Sequence, residues 1–249
     1  MSILIGLITA HHASRRPYIE RARKSLENSP LDYKFVFGEG EPRAEDLADS
    51  LYFPCDDTRH YMVLKNQGLF RYALENNYDF CFRACDDTVI YPERLKNACL
   101  EDFDYAGCIP SKIQCGPIKV PMRYLDYMNG GCGIWLSKKA MEMLVADEWQ
   151  GPMRRFPENL DMGFGLKLNM EPIDWDDRWI GEVLKGNLAW DDPKRNNAFM
   201  AYTMNGIKVY ENDLIFFNDD VDLPISIHDP GGKKIVGIMT PKQWKEAYG

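Results

Sequence analysis

The sequence predicts an α/β fold with a Rossmann-like, mixed and mostly parallel sheet that is flanked by helices. Short β-branched or aromatic runs alternate with helix-forming segments over roughly the first hundred residues, which is the pattern of consecutive βαβ units. Several of these runs are apolar throughout, as expected for strands that helices cover on both faces. With 249 residues, 45% of them hydrophobic, the chain can bury one sizeable core.

The first half follows a regular order of strands and helices. Thr58 is predicted to cap the third helix. One face of that helix is predicted to present Tyr61, Leu64, Gly68 and Tyr72. The predicted elements are strands over 3–10, 34–38, 51–54 and 80–85, and helices over 18–25, 43–50 and the segment that follows Thr58.

The second half is less regular. Ser137 is expected to cap a helix, because serine at that place accepts a hydrogen bond from the first helical turn. The predicted elements are a loop over 111–123, a strand over 134–136, a helix over 138–144, a mobile rim over 148–160, and helices over 178–184 and 240–248.

Composition narrows the class of protein. The formal net charge of −8 disfavours a broad nucleic-acid surface, although the basic cluster over 15–24 suits phosphates. Seven cysteines without CxxC spacing indicate a reducing compartment and not a disulfide framework or a zinc site. The N-terminus lacks the basic region of a signal peptide, and no window has the length to span a bilayer. We therefore expect a soluble, cytoplasmic protein without a membrane anchor.

Two predicted strand ends carry polar residues. Residues 9–16 follow the first strand, and Asp86 and Asp87 follow the strand over 80–85. In open sheets of this kind, ligands bind beyond the carboxyl ends of the strands, so both segments are expected to line one crevice. Two carboxylates are costly to dehydrate there, and a divalent cation that carries a diphosphate would neutralise them. The alternative is that they begin a turn, with Asp87 capping a helix at Tyr91.

A family resemblance is carried by five blocks in a fixed order. The blocks are Arg15-Arg16-Pro-Tyr-Ile19, Leu64-Lys65, Arg83-Ala-Cys-Asp-Asp-Thr-Val, Tyr127-Met-Asn-Gly-Gly-Cys-Gly-Ile-Trp-Leu-Ser, and Asp176-Asp177-Arg-Trp-Ile-Gly181. Their order is similar to that of the β-1,3-galactosyltransferase and Fringe-like family of GT-A glycosyltransferases, and the similarity spans about residues 3–235.

The resemblance implies a metal site. Asp87 corresponds to the last Asp of the family's DXD motif, which coordinates Mn²⁺ (or Mg²⁺) bridging the UDP phosphates. Cys85 stands where the family has an earlier Asp, which removes a ribose or second-sphere contact unless Asp86 supplies it. His228 corresponds to the late histidine that completes the metal shell in many enzymes of this fold; a purely structural histidine is the alternative.

The resemblance also implies residues that hold the UDP-sugar. Thr9, Arg15, Arg16 and Lys65 are predicted to contact the nucleotide sugar, together with Cys85 and Asp86. Basic side chains there would compensate phosphate charge. The alternative for the basic residues is a solvated helix face that contacts no ligand.

Asp177 is the predicted catalytic base. In the family the second acid of the "EDV" block takes the proton from the acceptor hydroxyl as it attacks the anomeric carbon, and the reaction inverts configuration. Asp176 and Asp177 also suit the first turn of a helix, and both roles are compatible. The base is open among Asp174, Asp176 and Asp177. Gly130, Gly131, Trp175 and Asp176 are the predicted acceptor-binding residues.

The predicted function is therefore a metal-dependent inverting glycosyltransferase that uses a UDP-sugar donor. Residues 1–249 are expected to form a single domain, with a nucleotide-binding half over about 1–110 and an acceptor-binding half over about 111–249. The acceptor is a hydroxyl of a glycan, a lipid-linked sugar or a modified DNA base, so nucleic acid enters only as an acceptor. The absence of an anchor fits a microbial, viral or phage enzyme.

Two other functions compete with this one. A sugar-1-phosphate nucleotidyltransferase shares the architecture, but it normally has a glycine-rich basic loop after the first strand, and Thr9-Ala-His-His-Ala-Ser contains no glycine. A non-catalytic module that binds nucleotide sugars or glycans is the other alternative, and Cys85 at the motif makes it conceivable.

Overall fold

The structure is a computed structural model, and it describes residues 1–40, 48–58, 61–97, 100–101, 104–107, 112–115, 118–121, 130–131, 133–149, 175–187, 215–218 and 221–228. The strands are β1 Ile3–Ile8, β2 Asp32–Phe37, β3 Ser50–Tyr52, β4 Phe80–Cys85, β5 Thr88–Ile90, β6 Tyr105–Gly107, β7 Lys112–Cys115, β8 Ile118–Pro121, β9 Ile134–Ser137, β10 Ile215–Asn218 and β11 Val221–His228. The helices are α1 Arg16–Leu26, α2 Met62–Glu75, α3 Pro92–Lys96, α4 Lys138–Ala146 and α5 Trp175–Asn187.

The main sheet has six strands in the order β3-β2-β1-β4-β9-β6. β1 pairs in parallel with both β2 and β4, and β3 continues the parallel part beyond β2. β9 runs antiparallel to its neighbours β4 and β6. The predicted class, a mixed and mostly parallel sheet flanked by helices, is confirmed.

Helices cover both faces of this sheet. All six residues of β1 are buried. Ile3, Ile5 and Leu7 pack in one apolar cluster with residues of α1, whereas Leu4 and Ile8 pack in a second cluster with residues of α2, α4 and α5. Because successive side chains of a strand point to opposite faces, a strand between two helix layers must be apolar at every position.

The strand order reverses at β1. β2 and β3 lie on one side of β1, and β4, which comes later in the chain, lies on the other. Such a reversal opens a crevice at the carboxyl ends of the two central strands, because the connections leave in opposite directions. The crevice here lies beyond Ile8 of β1 and Cys85 of β4.

Two smaller sheets complete the described part. β11 lies between β10 and β5 and is antiparallel to both. β7 and β8 form an antiparallel pair within the segment for which a loop was predicted, over 111–123, so that prediction is wrong for this pair. The Gly, Pro and Lys residues of this segment are typical of loops, so the sequence pattern does not predict the two four-residue strands.

The predicted third helix is confirmed as α2, but its cap and its buried face differ from the prediction. The N-cap is Tyr61, three residues after Thr58, and the side chain of Tyr61 makes no capping bond in the described part of the chain. Leu64 and Tyr72 are only partly buried. α2 contacts the sheet, α4 and α5 together, so it buries a wide face that includes the polar residues Lys65, Asn66 and Gln67.

The alternative prediction was that Asp86 and Asp87 begin a turn and that Asp87 caps the next helix. Only its first part is correct. Asp86 and Asp87 do form a turn, which joins β4 to β5. Asp87 does not cap the next helix, because α3 begins at Pro92 with Tyr91 as its N-cap. A short strand separates the acids from that helix.

Several predictions fall outside the described residues. They are most of the helix over 43–50, most of the rim over 148–160, the acid Asp174 and the helix over 240–248. None of the helices in the described ranges combines the length and apolar character that crossing a membrane requires.

The predicted cap of α4 is confirmed. Ser137 has extended backbone geometry, and its hydroxyl accepts a hydrogen bond from the N–H of Ala140 at 3.2 Å. We expect Ser137→Ala to lower the free energy of unfolding by about 1 kcal/mol, since one N–H of the first turn loses its partner. Urea denaturation monitored by circular dichroism measures this. Ser137→Asp, which keeps a capping oxygen, is the control and should retain most of the stability.

Candidate functional site

The carboxyl ends of β1 and β4 meet through direct side-chain contacts. The hydroxyl of Thr9 donates to Asp86 Oδ2 at 2.5 Å, and Arg15 Nε donates to the same oxygen at 2.9 Å. Arg15 Nη2 also pairs with Asp86 Oδ1. Arg15 reaches this place because His12 caps the short 3-10 turn that precedes α1. The predicted convergence of the two strand ends is confirmed.

The two acids of the turn lie in different environments. The Asp86 side chain is fully buried, whereas that of Asp87 is 10% exposed. Arg15 Nη2 lies 3.2 Å from Asp87 Oδ2, and Arg21 Nη2 donates to the backbone carbonyl of Asp87 at 3.1 Å. The sequence argument assigned the neutralising charge to a cation; in the structure the Arg15 guanidinium contacts both carboxylates. Asp87 is the acid nearer to solvent.

The backbone of β11 brings His228 to the same region. In the antiparallel pairing of β11 with β5, His228 lies opposite Thr88, the residue that follows Asp87. The two predicted metal ligands, far apart in sequence, therefore occupy neighbouring places in adjacent chain segments. The side chain of His228 is outside the described part.

These residues fit a divalent cation only in company with a ligand. Among the described residues, no group of three His, Cys, Asp or Glu side chains could hold a metal ion. A carboxylate oxygen from Asp87 suits Mg²⁺ or Mn²⁺, and such ions commonly take one or two protein ligands plus substrate phosphates. The donor chemistry therefore fits an ion that arrives with a diphosphate, and it does not build a closed protein site.

A buried ion-pair cluster lies below the crevice. Arg83 of β4 pairs with Asp176 and Asp177, the two acids in the first turn of α5. Arg83 Nη1 lies 3.0 Å from Asp177 Oδ1, and Arg83 Nε donates to Asn66 Oδ1 at 3.0 Å. Asn66 Nδ2 in turn donates to Asp176 Oδ2 at 3.0 Å. All four side chains are at least nine-tenths buried, so β4, α2 and α5 are joined by one charged network.

The glycine pair connects this cluster to the turn that carries Asp87. The N–H of Gly130 donates to Asp177 Oδ2 at 2.6 Å, and the carbonyl of Gly131 accepts from the hydroxyl of Thr88. A Cβ atom on Gly130 would overlap both the Arg83 guanidinium and the Asp177 carboxylate. Glycine is required at position 130 because the backbone approaches the charged side chains so closely.

Cys85 is the last residue of β4, directly before the acidic turn. The pKa of its thiol is raised to about 12, chiefly by burial; the charge of Arg83 lowers it, and the charges of Asp87, Asp177 and Asp176 raise it. Acids of the turn and acids of the cluster therefore both act on this thiol. At neutral pH the thiol stays protonated, and a neutral thiol is a poor ligand for a hard cation.

Lys65 is buried, whereas the prediction placed it in contact with the phosphates of the nucleotide sugar. Its ammonium donates to the carbonyl of Thr9 and to Asp57 Oδ1, both at 2.8 Å, and its side chain is 2% exposed. Asp57 also accepts from the N–H groups of His11 at 2.5 Å and Gly38 at 2.8 Å. Lys65 thus fixes the floor of the crevice below the ends of β1 and β2.

The remaining predicted residues lie at the margins. Arg16 is the first residue of α1, and its Nε contacts Glu20 at 3.3 Å. Trp175 is the first residue of α5, and its side chain is outside the described part. Trp179, one turn further on, is buried and donates to Asp147 Oδ2 at 2.8 Å. Gly130, Gly131, Asp176 and Asp177 are brought together.

Sequence reasoning did not assign roles to Arg83, Asn66 and Asp57. A signal for Arg83 was present, because an arginine inside the apolar run over 80–85 must find partners when the strand is buried. Asn66 and Asp57 carried no comparable signal, since amides and acids are common on exposed helices and turns.

No family model and no curated protein matches the chain. It is similar to the crystal structure of a glycosyltransferase involved in the glycosylation of the major capsid of PBCV-1, with TM-score 0.36, 14% identity and 58% of this chain and 63% of that chain covered. It is also similar to the mannosyltransferase PcManGT from Pyrobaculum calidifontis, in complex with GDP-Man and Mn²⁺, with TM-score 0.37, 9% identity, and coverage of 57% and 46%. The chain spans less than two thirds of the length of either protein, and at these identities the similarity concerns the fold alone.

Proposed function

We propose that the protein is a metal-dependent inverting glycosyltransferase of the β-1,3-galactosyltransferase and Fringe-like type, which moves a sugar from a UDP-sugar to an acceptor hydroxyl. One observation carries the proposal. Two separate acidic groups, Asp87 in the turn after β4 and Asp177 in the buried cluster, are joined through the glycine pair, since Asp177 accepts from the N–H of Gly130 and Thr88, next to Asp87, donates to the carbonyl of Gly131. A transfer of this kind requires one acid at the leaving diphosphate and another at the attacking hydroxyl.

The donor side of the proposed site is the end of β1, the start of α1 and the acidic turn. Asp87 and His228 would hold a divalent cation, which when bound offsets the charge on the departing diphosphate. Thr9, Arg15 and Arg16 would contact the nucleotide sugar. Arg15 lies beside both carboxylates and its side chain is 29% exposed, so its guanidinium is accessible to a phosphate in the crevice.

Three further residues shape the donor side without meeting the phosphates in this geometry. Lys65 fixes the chain at Thr9, and Asp86 fixes Arg15. Cys85 would contribute a neutral thiol to the wall. These roles explain why Lys65 and Asp86 are buried although they belong to blocks of the nucleotide-binding half.

The acceptor side is the glycine pair and the start of α5. Asp177 would take the proton as the acceptor oxygen bonds to the anomeric carbon and the bond from that carbon to the diphosphate breaks. Its two oxygens accept hydrogen bonds from Arg83 and from the N–H of Gly130, which hold the carboxylate toward the glycine pair. Gly130, Gly131, Trp175 and Asp176 would line the acceptor.

The whole chain is proposed to act as one domain. β9, from the acceptor half over 111–249, pairs with β4 of the nucleotide half over 1–110, and β11 pairs with β5. The acceptor is proposed to be a sugar hydroxyl. A modified DNA base is less suited, because a net charge of −8 repels a polyanion. A binding module without turnover is the second candidate, which Cys85 at the motif favours.

Thermal unfolding in the presence of nucleotides tests the donor and the metal. UDP at about a hundred times its dissociation constant should stabilise the protein by about 2.7 kcal/mol, which for a chain of this size raises Tm by roughly 5–10 °C. We expect this rise with UDP and Mn²⁺ together, and a much smaller one with UDP alone or with GDP, CMP or NAD. An equal rise for UDP with and without Mn²⁺ would contradict metal dependence.

Variants locate the metal in the same assay. Asp87→Asn and His228→Ala should lose the Mn²⁺-dependent part of the shift. Asp79→Asn is the matched control, since Asp79 precedes the opposite end of β4 and holds Ser2. A UDP-sugar then separates an enzyme from a binding module, because only the enzyme releases UDP over time.

A further inference from the structure

Positive groups converge on the two carboxylates of the cluster. The guanidinium of Arg83 pairs with both Asp176 and Asp177. The N–H of Gly130 and the amino end of α5 supply further partial positive charge. These contacts offset the cost of burying the carboxylates in a region from which water is largely excluded.

The guanidinium of Arg83 is held in all its directions. Its Nε donates to Asn66, its Nη1 to Asp177 and its Nη2 to Asp176. Because the guanidinium is planar and rigid, fixing Nε by Asn66 also fixes the directions of both Nη groups. The orientation of the Asp177 carboxylate is therefore set from α2 through β4.

The two carboxylates differ in how they are engaged. Asp176 Oδ2 accepts from both Asn66 and Arg83, so this acid is tied to α2 and β4 together. Asp177 accepts from Arg83 on one oxygen and from the backbone of Gly130 on the other, so it faces the glycine pair. Asp177 is thus the acid directed toward the glycine pair, while Asp176 anchors the cluster.

We propose that Arg83, oriented by Asn66, is the positioning residue that keeps Asp177 ionised and aimed at the acceptor. This rests on the proposed function, in which Asp177 is the base. Among the described residues, the other titratable groups that face this cluster include Asp176 on the same helix and Cys85 on β4. From α2 only the neutral amide of Asn66 reaches the cluster among the described contacts, and at the end of α4 the carboxylate of Asp147 pairs with Trp179.

The test compares Asn66→Ala with Gln67→Ala. Both remove a buried amide from neighbouring positions of α2, but Gln67 donates to the carbonyls of Leu144 and Asp147 and does not touch the cluster. We expect a similar fall in Tm for both. Only Asn66→Ala should lower kcat for transfer, by about a hundredfold, with the Kd for UDP and Mn²⁺ within twofold of wild type.

Arg83→Lys supplies a second measurement, because it keeps the charge but loses the planar geometry. In protein labelled with ¹³C at aspartate carboxyls, the signal that Asp177→Asn removes identifies Asp177. We expect the midpoint of its titration to rise by about one pH unit or more in Arg83→Lys, with a matching rise of the acid limb of the pH profile of kcat. Gln67→Ala should leave both unchanged.

The outcomes separate the two proposals. If Asn66→Ala turns over like Gln67→Ala and the Asp177 signal titrates in Arg83→Lys as in wild type, the positioning role is wrong, although the enzyme still works. If wild type shows no turnover but the Asp177 titration moves as expected, the proposed function fails and the electrostatic control of Asp177 by Arg83 stands. The carbon signal is measurable in either case.

Discussion

Asp177→Asn is expected to lower kcat for sugar transfer by about 10²–10⁴-fold, the usual contribution of a positioned general base. An amide has nearly the size of a carboxylate and still accepts hydrogen bonds, but it cannot take the proton of the acceptor hydroxyl. The Kd for UDP and Mn²⁺ should stay within twofold, because the contacts on the donor side are unchanged. Transfer rates from a UDP-sugar and calorimetric titration with UDP measure the two quantities.

Asp147→Asn is the matched control for this variant. Asp147 also bonds a residue of α5, the indole of Trp179, but it lies at the end of α4 outside the cluster. Its variant should keep wild-type kcat. If Asp177→Asn transfers sugar as fast as wild type, the base is another acid, and parallel assays of Asp176→Asn and Asp174→Asn then identify it.

Arg83→Met is expected to lower the free energy of unfolding by about 3–5 kcal/mol, because it leaves two carboxylates buried without their opposite charge. That is a large part of the 5–15 kcal/mol by which domains are typically stable, so roughly a fifth of the stability or more is at stake. Chemical denaturation by urea, followed by tryptophan fluorescence, measures the change.

The triple variant Arg83→Met/Asp176→Asn/Asp177→Asn is the control for stability. Removing all three charges removes the uncompensated carboxylates, so it should recover a large share of the loss. If Arg83→Met is as stable as wild type at neutral pH, the carboxylates are neutralised by something other than Arg83. A triple variant no more stable than Arg83→Met would point to packing of the arginine side chain as the main contribution.

Much of the framework is predictable from the sequence. The runs over 3–8 and 80–85 are apolar at every position except Gly6 and Arg83, and the sheet places them side by side as its central strands. The turn at Asp86 and Asp87 and the cap at Ser137 can also be predicted from the sequence, because each depends on residues only a few positions away in the chain. The convergence of two strand ends follows from the order of parallel strands.

The buried face of α2 is a different case. Its periodicity predicts burial of Tyr61, Leu64, Gly68 and Tyr72, but of these only Gly68 is buried. A periodic pattern assumes one apolar partner surface, whereas α2 packs against the sheet, α4 and α5 together. The polar residue Asn66 can be buried there because Arg83 and Asp176 form hydrogen bonds with its amide. The residues that neighbour Asn66 in sequence do not predict these partners.

By itself, the sequence determined the class of fold, the crevice beyond β1 and β4, and the residue types gathered there, because these depend on hydrophobic pattern and chain order. Only the tertiary structure decided which charged side chains pair: Arg15 with the turn acids, Lys65 with Asp57, and Arg83 with the acids of α5. The physical reason is that a buried charge takes its partner from whatever segment packing brings within hydrogen-bond reach, and that segment is distant in the chain.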